Sequence, residues 1–379
     1  MRQKSWVPDR FLLISVVGLL VIGFITLYSI YMAQSHIGNI SSIWSELSTY
    51  FIGLIIGLSC AFLVYRSTPK LYRSMSYPIY ILAVVMLLFV FVPSIGSTGE
   101  HKRWLDFAVV SFQPSEFAKL AVILLTANYL TERDAKTMSL REIIILMVMI
   151  AVIGGLIVME SSLSAAIMIM IIFVLQYYLS GAKVWVLFVL FGLFSVAVFI
   201  QSIVDIDMWK SRFKGVFDPI GTVQNEGYQL FHSLVAVASG GFFGRGLFSG
   251  VQKFNNSIFS LEADFIFANI AEEFGFLGSL IVIVLYFMFV VGAIKIAGRS
   301  KNQFAYLVAL GIALHIGMQA FFNIGIAIGL LPVTGATLPF ISAGSSSLII
   351  NLVEVGILFG IDRNSFERKK KTMLLKGEI

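Results

Sequence analysis

The segment Leu261 to Gly275 gathers Glu262, Asp264, Glu272 and Glu273 among Phe265, Phe267 and Phe274. A carboxylate hemmed by phenylalanines at a bilayer surface is partly desolvated, which disfavours its charged form and suits it to proton transfer. Asp264 also reads as a helix N-cap. That reading explains the aspartate but not the acids crowded around it. Elsewhere, Glu116 and Lys119 stand at i, i+3 spacing and share one helix face, where they neutralise each other. A pair holding helices together and a pair facing a substrate are equally open. The string Gly240-Gly241-Phe242-Phe243-Gly244-Arg245-Gly246 lacks the lysine-serine or lysine-threonine ending of a P-loop, and no strand precedes it. It reads as a tight re-entrant turn, with an anion-binding nest of amides beside Arg245 as the second reading.

These residues must be positioned by helices in a membrane. Of 379 residues, 58% are apolar and 13% charged, and the mean hydropathy is +0.91, which excludes an ordinary water-soluble domain of about a quarter charged residues. A spanning helix needs about 20 predominantly apolar residues. On that measure the expected fold is an all-α polytopic membrane protein with ten spans, at about 11–33, 46–65, 76–95, 115–131, 143–159, 163–180, 184–204, 272–296, 304–331 and 347–361. The first run, Phe11 to Ala33, has no small-x-small exit and is expected to be a retained helix rather than a signal peptide. The single cysteine, Cys60, lies in an apolar stretch, so neither an intramolecular disulfide nor a thiolate zinc site can form.

The formal charge of +6 marks topology rather than nucleic acid. Nineteen of the 27 lysines and arginines fall on one side of the expected spans, from Arg2, Lys4 and Arg10 to the tail holding Arg368, Lys369, Lys370 and Lys371. Basic residues in short loops are retained in the cytoplasm, so both termini are expected inside, with the basic tail touching anionic membrane lipid. The chain then reads as one membrane domain over 1–379, with a short inner N-terminus at 1–10, a large extracytoplasmic loop at 205–264 between the seventh and eighth spans, and an inner tail at 362–379. A loop longer than about 15 residues is uncommon unless functional or disordered. Its phenylalanines and Tyr228 point to short amphipathic helices in the interface.

The chain resembles the SEDS family of membrane proteins over about residues 9 to 365. The carriers are Arg103-Trp104; Phe112-Gln113-Pro114-Ser115-Glu116-Phe117-Ala118-Lys119; Gly227-Tyr228-Gln229 with Ser233; the glycine string; Gln252-Lys253; Asp264-Phe265-Ile266-Phe267 with Glu272-Glu273; and Gly329-Leu330-Leu331-Pro332-Val333-Thr334-Gly335 leading to Leu338-Pro339-Phe340-Ile341-Ser342. Gln252-Lys253 and Thr337-Leu338-Pro339-Phe340 are closer to the division and sporulation members than to the elongation member. The chain departs from the common pattern at Ser161-Ser162, where proline-aspartate often stands, and at Ala263 and Ser345.

What the resemblance implies is a bacterial inner-membrane peptidoglycan glycosyltransferase that polymerises lipid II at the outer face, in septal synthesis during cell division. Asp264 is then the essential aspartate, taking a proton from the attacking sugar hydroxyl. Arg103, Lys119, Arg212, Arg245 and Lys253 are the outer cations that could hold the departing diphosphate, with Glu116, Gln229, Glu262 and Ser342 as further substrate contacts. A divalent cation, Mg or Mn, could share that work, although no ligand set specifies it. The implied partners are a class B penicillin-binding protein transpeptidase and other divisome membrane proteins. A lipid II flippase is the rival reading, and an elongation-type polymerase the alternative within the family. No internal repeat supports a transporter.

Overall fold

The computed structural model describes residues 6–35, 40–92, 103–107, 110–160, 162–189, 192, 214–224, 227–254, 258 and 261–375. Its principal helices are α1 (Arg10–Ser35), α2 (Ile40–Arg66), α3 (Pro69–Phe89), α4 (Pro114–Glu132), α5 (Leu140–Met159), α6 (Leu163–Leu179), α7 (Tyr228–Gly240), α8 (Ile266–Arg299), α9 (Gln303–Ala327) and α10 (Ser345–Leu375). A short antiparallel hairpin, β1 (Leu105–Phe107) and β2 (Val110–Phe112), pairs Leu105 with Phe112 just before α4. Local chemistry sets the helix starts. Pro69 and Pro114 open α3 and α4, where a missing N–H costs nothing. Ser139 and Glu142 form a capping box on α5, and the Asn302 side chain accepts from Phe304 N at the start of α9.

Seven helices among the described residues are long and apolar enough to cross a membrane: α1, α2, α3, α5, α8, α9 and α10. The fourth and sixth expected spans are present as α4, whose Glu116 and Lys119 lie inside the bundle, and as the short α6. Of the seventh expected span, 184–204, all but its first residues lies outside the described residues. The end of the third expected span shifts: α3 runs from Pro69 to Phe89 rather than 76–95, because Pro69 is accepted in a first turn.

The bundle has a polar centre and an apolar skin. α4 and α9 are buried along most of their length, and α10 over residues 345–362. Ile14, Val17, Ile55, Leu63, Ile81, Val148 and Phe287 are exposed on α1, α2, α3, α5 and α8, as a hydrocarbon-facing belt requires. α2 and α10 approach closely through small residues. A side chain at Gly356 would collide with the Ala61 backbone, and one at Gly57 with Leu352.

Candidate active site

Asp264 lies in the turn 261–264, two residues before α8 begins. Its main chain is held by the loop between α9 and α10. Asn323 Nδ2, on α9, donates to the Asp264 carbonyl at 3.0 Å and to the Ala336 carbonyl at 2.6 Å. Ser342 Oγ donates to the Ala263 carbonyl at 2.6 Å while accepting from the Leu338 amide at 2.8 Å. The Ala343 amide donates to the Glu262 carbonyl at 3.0 Å. Every one of these bonds goes to backbone.

The Asp264 carboxylate takes no part in them, and among the described residues it accepts no hydrogen bond. The N-cap position of α8 belongs to Phe265, and no side chain caps that helix. The helix-cap reading of Asp264 is therefore not what the fold uses. Gly335, at φ +73°, turns its bare Cα toward the carboxylate, and a Cβ there would lie 3.6 Å from Oδ2. Burial pushes Asp264 up to about 6, the charge of Glu262 acts the same way, and the guanidinium of Arg103 opposes both.

Arg103 stands between two acids. Its Nε donates to the Glu160 carbonyl at 3.1 Å, and its charge acts on both Asp264 and Glu160. Burial holds Arg103 below its ordinary value, against both carboxylates. Glu160, at the end of α5, is buried with neither carboxylate oxygen hydrogen-bonded among the described residues, and burial pushes it up to about 8 despite Arg103. The hairpin following Arg103 is fixed to the start of α10: the Gln113 amide donates to Ser346 Oγ at 3.0 Å, and Ser346 Oγ donates to the Ser111 carbonyl at 3.1 Å.

Deeper in the bundle, Glu116 and Lys119 form a buried pair at 2.7 Å on α4. Lys119 also donates to Gln319 Oε1 at 2.7 Å, Gln319 Nε2 donates to Thr337 Oγ1 at 2.8 Å, and His315 links Gln319 at 2.7 Å to Glu354 at 2.8 Å. The pair thus joins α4, α9 and α10 through a fully buried polar chain that also reaches the loop ahead of α10. The pair ties helices together, as the helix-holding reading of Glu116 and Lys119 has it.

Lys253 and Arg245 sit in a different place. Lys253 is completely buried, paired with Glu273 and donating to Ser29 Oγ at 2.6 Å. Arg245 is half-exposed, 3.7 Å from Glu272. Both acids flank Gly275, where α8 breaks at φ +66° and ψ −162°. The glycine string repairs that break. The Arg245 and Gly246 amides donate to the Glu272 and Glu273 carbonyls at 2.9 and 3.0 Å, and the Phe276 amide donates to the Gly241 carbonyl at 2.9 Å. Those amides are engaged by backbone, so the string serves as the re-entrant turn and not as an open anion nest. Gln229 lies in the first turn of α7, which docks on α8 and on the end of α9 through Ser233 Oγ, 2.7 Å from the Ala327 carbonyl. Arg212 lies outside the described residues.

Asp264, Glu262, Arg103 and Ser342 are therefore brought together; Arg245 and Lys253 belong to the α8 break. Glu160, Asn323, Gln319, His315 and Glu354 were missed by sequence reasoning. The rule that ionisable residues inside apolar spans are functional would have flagged His315 and Glu354. Among the described residues no group of three or more His, Cys, Asp or Glu could hold a metal ion, so the expected divalent cation finds no ligand set there.

A sequence model of the FtsW/RodA/SpoVE family, described as cell cycle proteins, matches residues 10–367. The probable peptidoglycan glycosyltransferase FtsW of Nitrosomonas europaea is 34% identical over 373 residues, covering 95% of this chain and 94% of the relative. Stage V sporulation protein E of Bacillus subtilis is 32% identical over 371 residues, covering 96% of this chain and all of the relative. Among solved structures, a chain of a peptidoglycan synthase complex that coordinates polymerization and crosslinking superimposes with a TM-score of 0.75 at 24% identity, covering 94% of this chain and 98% of that one. The rod shape determining protein RodA of Thermus thermophilus gives 0.67 at 24% identity, covering 94% and 96%.

Proposed function

This chain belongs to the FtsW/RodA/SpoVE family of cell cycle proteins, and from that premise we propose that it is a peptidoglycan glycosyltransferase that polymerises lipid II with Asp264 as the general base. The observation that carries the assignment is a carboxylate whose backbone is fastened on several sides while its oxygens accept no hydrogen bond among the described residues, beside Arg103. A base must be held in position yet keep its lone pairs for the incoming proton. With a value of about 6, Asp264 is ionised at neutral pH and basic enough to accept.

In the step proposed, a sugar 4-hydroxyl attacks the anomeric carbon of the growing chain. Asp264 takes the hydroxyl proton, the new glycosidic bond forms, and the bond to the lipid diphosphate breaks. The diphosphate departs with the bonding pair. Arg103 is the cation in reach of that charge, and as a guanidinium it can bind phosphate oxygens in a bidentate manner. The polyprenyl tail stays in the bilayer while the sugars occupy the outer side.

On the positive-inside rule both termini face the cytoplasm of a bacterial inner membrane, which places Asp264 outside. The likeness to a chain of a peptidoglycan synthase complex that coordinates polymerization and crosslinking supports a transpeptidase partner of the class B penicillin-binding type for this chain. The FtsW name of its relatives supports septal synthesis within a divisome. The decisive assay incubates purified protein, with and without the transpeptidase and divalent cations, with labelled lipid II. Polymer is expected from the native chain and none from Asp264→Asn; polymer from the variant at the native rate removes the assignment.

A further inference from the structure

At the end of the bundle opposite Asp264, a cavity of about 1010 Å³ opens between the start of α1, the start of α3, the turn from α8 to α9 and the end of α10. The helices themselves fix this as the far side. α8 runs from Ile266, beside Asp264, to Arg299 on the cavity wall, and α10 runs from Ser345, beside the Asp264 loop, to Asp362 and beyond. α10 has 31 residues, about 46 Å at 1.5 Å per residue, whereas a hydrocarbon core of about 30 Å takes about 20. Its last turns, with Arg368 and Lys369, therefore stand beyond the core and overhang the cavity.

The charges in this cavity do not balance. Its acid Asp362 and the neighbouring Asp9 are both engaged by one cation: Arg299 pairs with Asp9 at 3.1 Å and with Asp362 at 3.1 Å, and Trp6 Nε1 donates to the second Asp362 oxygen at 3.1 Å. That leaves Lys70, Lys301, Arg368 and Lys369 lining the same cavity with no acid in ion-pair distance among the described residues. Residues that serve only to orient a membrane protein need not converge. Five other cations on this side have internal partners: Arg73 on Asn128, Arg133 on Glu142, Lys183 on the Met138 carbonyl, Lys295 over the Phe11 ring and Arg363 on Glu367. The start of α3 adds to the imbalance, because Thr68 leaves that helix end without a side-chain cap and Thr68, Pro69 and Lys70 line the cavity.

The lining is also partly apolar. Trp6 stacks on Tyr65 at 5.6 Å, and Trp6, Val7 and Phe366 face the space together with the cations. A concave site lined by unbalanced lysines and an arginine together with an indole and a phenylalanine fits an amphiphilic anion. We propose that this cavity is a binding site for the phosphate headgroup of an anionic phospholipid of the inner leaflet. The phosphate sits among Lys70, Lys301, Arg368 and Lys369, and the acyl chains leave past Trp6 and Phe366. Its occupant neutralises the overhanging end of α10 against the start of α3 and the turn from α8 to α9.

The inference rests on the orientation proposed above, but its test does not, because binding is measured on solubilised protein. The full chain in detergent is titrated with phosphatidylglycerol, with phosphatidylcholine and with inorganic phosphate, and bound lipid is read by native mass spectrometry. Phosphatidylglycerol is expected to bind in preference to phosphatidylcholine. Lys70→Gln, Lys301→Gln, Arg368→Gln and Lys369→Gln together should weaken it by about fivefold per cation removed, the effect of about one unit charge near an anionic lipid. A control carrying Lys136→Gln, Arg141→Gln, Lys370→Gln and Lys371→Gln removes equal charge outside the cavity and should leave binding within about twofold. Equal loss in both variants means a diffuse surface attraction and overturns the site. Binding of inorganic phosphate as tight as that of the lipid overturns the lipid assignment. Should the fourfold variant fail to fold, the pairs Lys70→Gln/Lys301→Gln and Arg368→Gln/Lys369→Gln carry the same comparison. An inverted topology would show instead in cysteine-accessibility labelling and leave these binding results standing.

Discussion

Two groups of acids flank the start of α8, eight residues apart in sequence, and the fold treats them in opposite ways. Glu272 and Glu273 are buried and engaged: Glu272 accepts from the Val251 amide at 2.7 Å and faces Arg245, and Glu273 accepts from Ser29 Oγ at 2.7 Å and pairs with Lys253. Among the described residues Asp264 has no such partners, and it is its backbone that is tied down. The first group repairs a broken helix; the second keeps a reactive oxygen in place. What separates structure from chemistry here is therefore not residue type, burial or distance from the membrane surface. It is whether the carboxylate already has partners, as Glu273 does through Oε1 although its buried Oε2 has none among the described residues.

Breaking each group should give opposite phenotypes, and the largest effect lies at Asp264. Asp264→Asn keeps the shape and the backbone bonds but cannot accept a proton. Loss of a general base costs typically 10² to 10⁴ in rate, roughly the detection limit of a gel-based polymer assay. The variant should melt at the native temperature, because no hydrogen bond to the side chain is lost. An Asp264→Asn protein that polymerises normally, or that unfolds, would make the two groups alike.

The next effect is on stability. Lys253→Met strands the Glu273 carboxylate in the interior, and breaking a buried pair from one side costs about 3–5 kcal/mol. Thermal unfolding in detergent should show that loss, with whatever protein remains folded still polymerising. Lys253→Met/Glu273→Met should recover most of it, since the cost lies in the unpaired charge rather than in the pair itself. Failure of the double variant to recover would mean that the charge at this site does more than close the break at Gly275.

A smaller and more specific effect concerns pH. The rate should rise through a value near 6 as Asp264 ionises. Glu262 raises that value and Arg103 lowers it. Glu262→Gln should therefore move the acid limb of the pH–rate profile to lower pH and Arg103→Gln should move it to higher pH, with a fall of about 10² in the maximum for the arginine variant if it also holds the diphosphate. Opposite shifts are the signature. Shifts in one direction for both variants would dissociate the limb from Asp264.

Sequence reading reached the second group more fully than the first. Asp264, Arg103 and Ser342 stood in recognisable runs, and the conflict between the phenylalanines and the acids around them was itself a signal. The spans were legible because apolar length is a local property. The break at Gly275 was not, because the span expected at 272–296 begins inside α8 and nothing local says that a glycine string some thirty residues earlier supplies the missing hydrogen bonds. Lys253 and Arg245 were read as outer cations for the same reason: their partners are fixed by tertiary contact, which spacing does not reveal. Asn323 and Gln319 read as ordinary polar residues in an apolar run, yet one holds the Asp264 backbone and the other joins three helices.

Glu160 belongs to neither group and tests the rule that divides them. It is buried like Glu273 and unengaged like Asp264, next to an arginine that also faces Asp264. By that rule a buried carboxylate without a partner should hold its proton, and burial does push Glu160 up to about 8. The protonated acid is close in shape and charge to glutamine. Glu160→Gln is thus expected to polymerise lipid II at nearly the native rate at pH 7, the smallest effect of the four. The difference should appear in stability. A carboxyl raised in the folded state stabilises fully below its unfolded value of about 4.3 and loses that contribution as pH rises toward and through about 8. Native protein should therefore melt at falling temperature as pH rises from about 4.3 to about 8 and level off above that, and Glu160→Gln should flatten that slope. A variant that keeps the native slope while losing activity at pH 7 would mean that Glu160 is ionised and acts on the reaction through Arg103, and that satisfied hydrogen bonds are not what distinguishes the two groups.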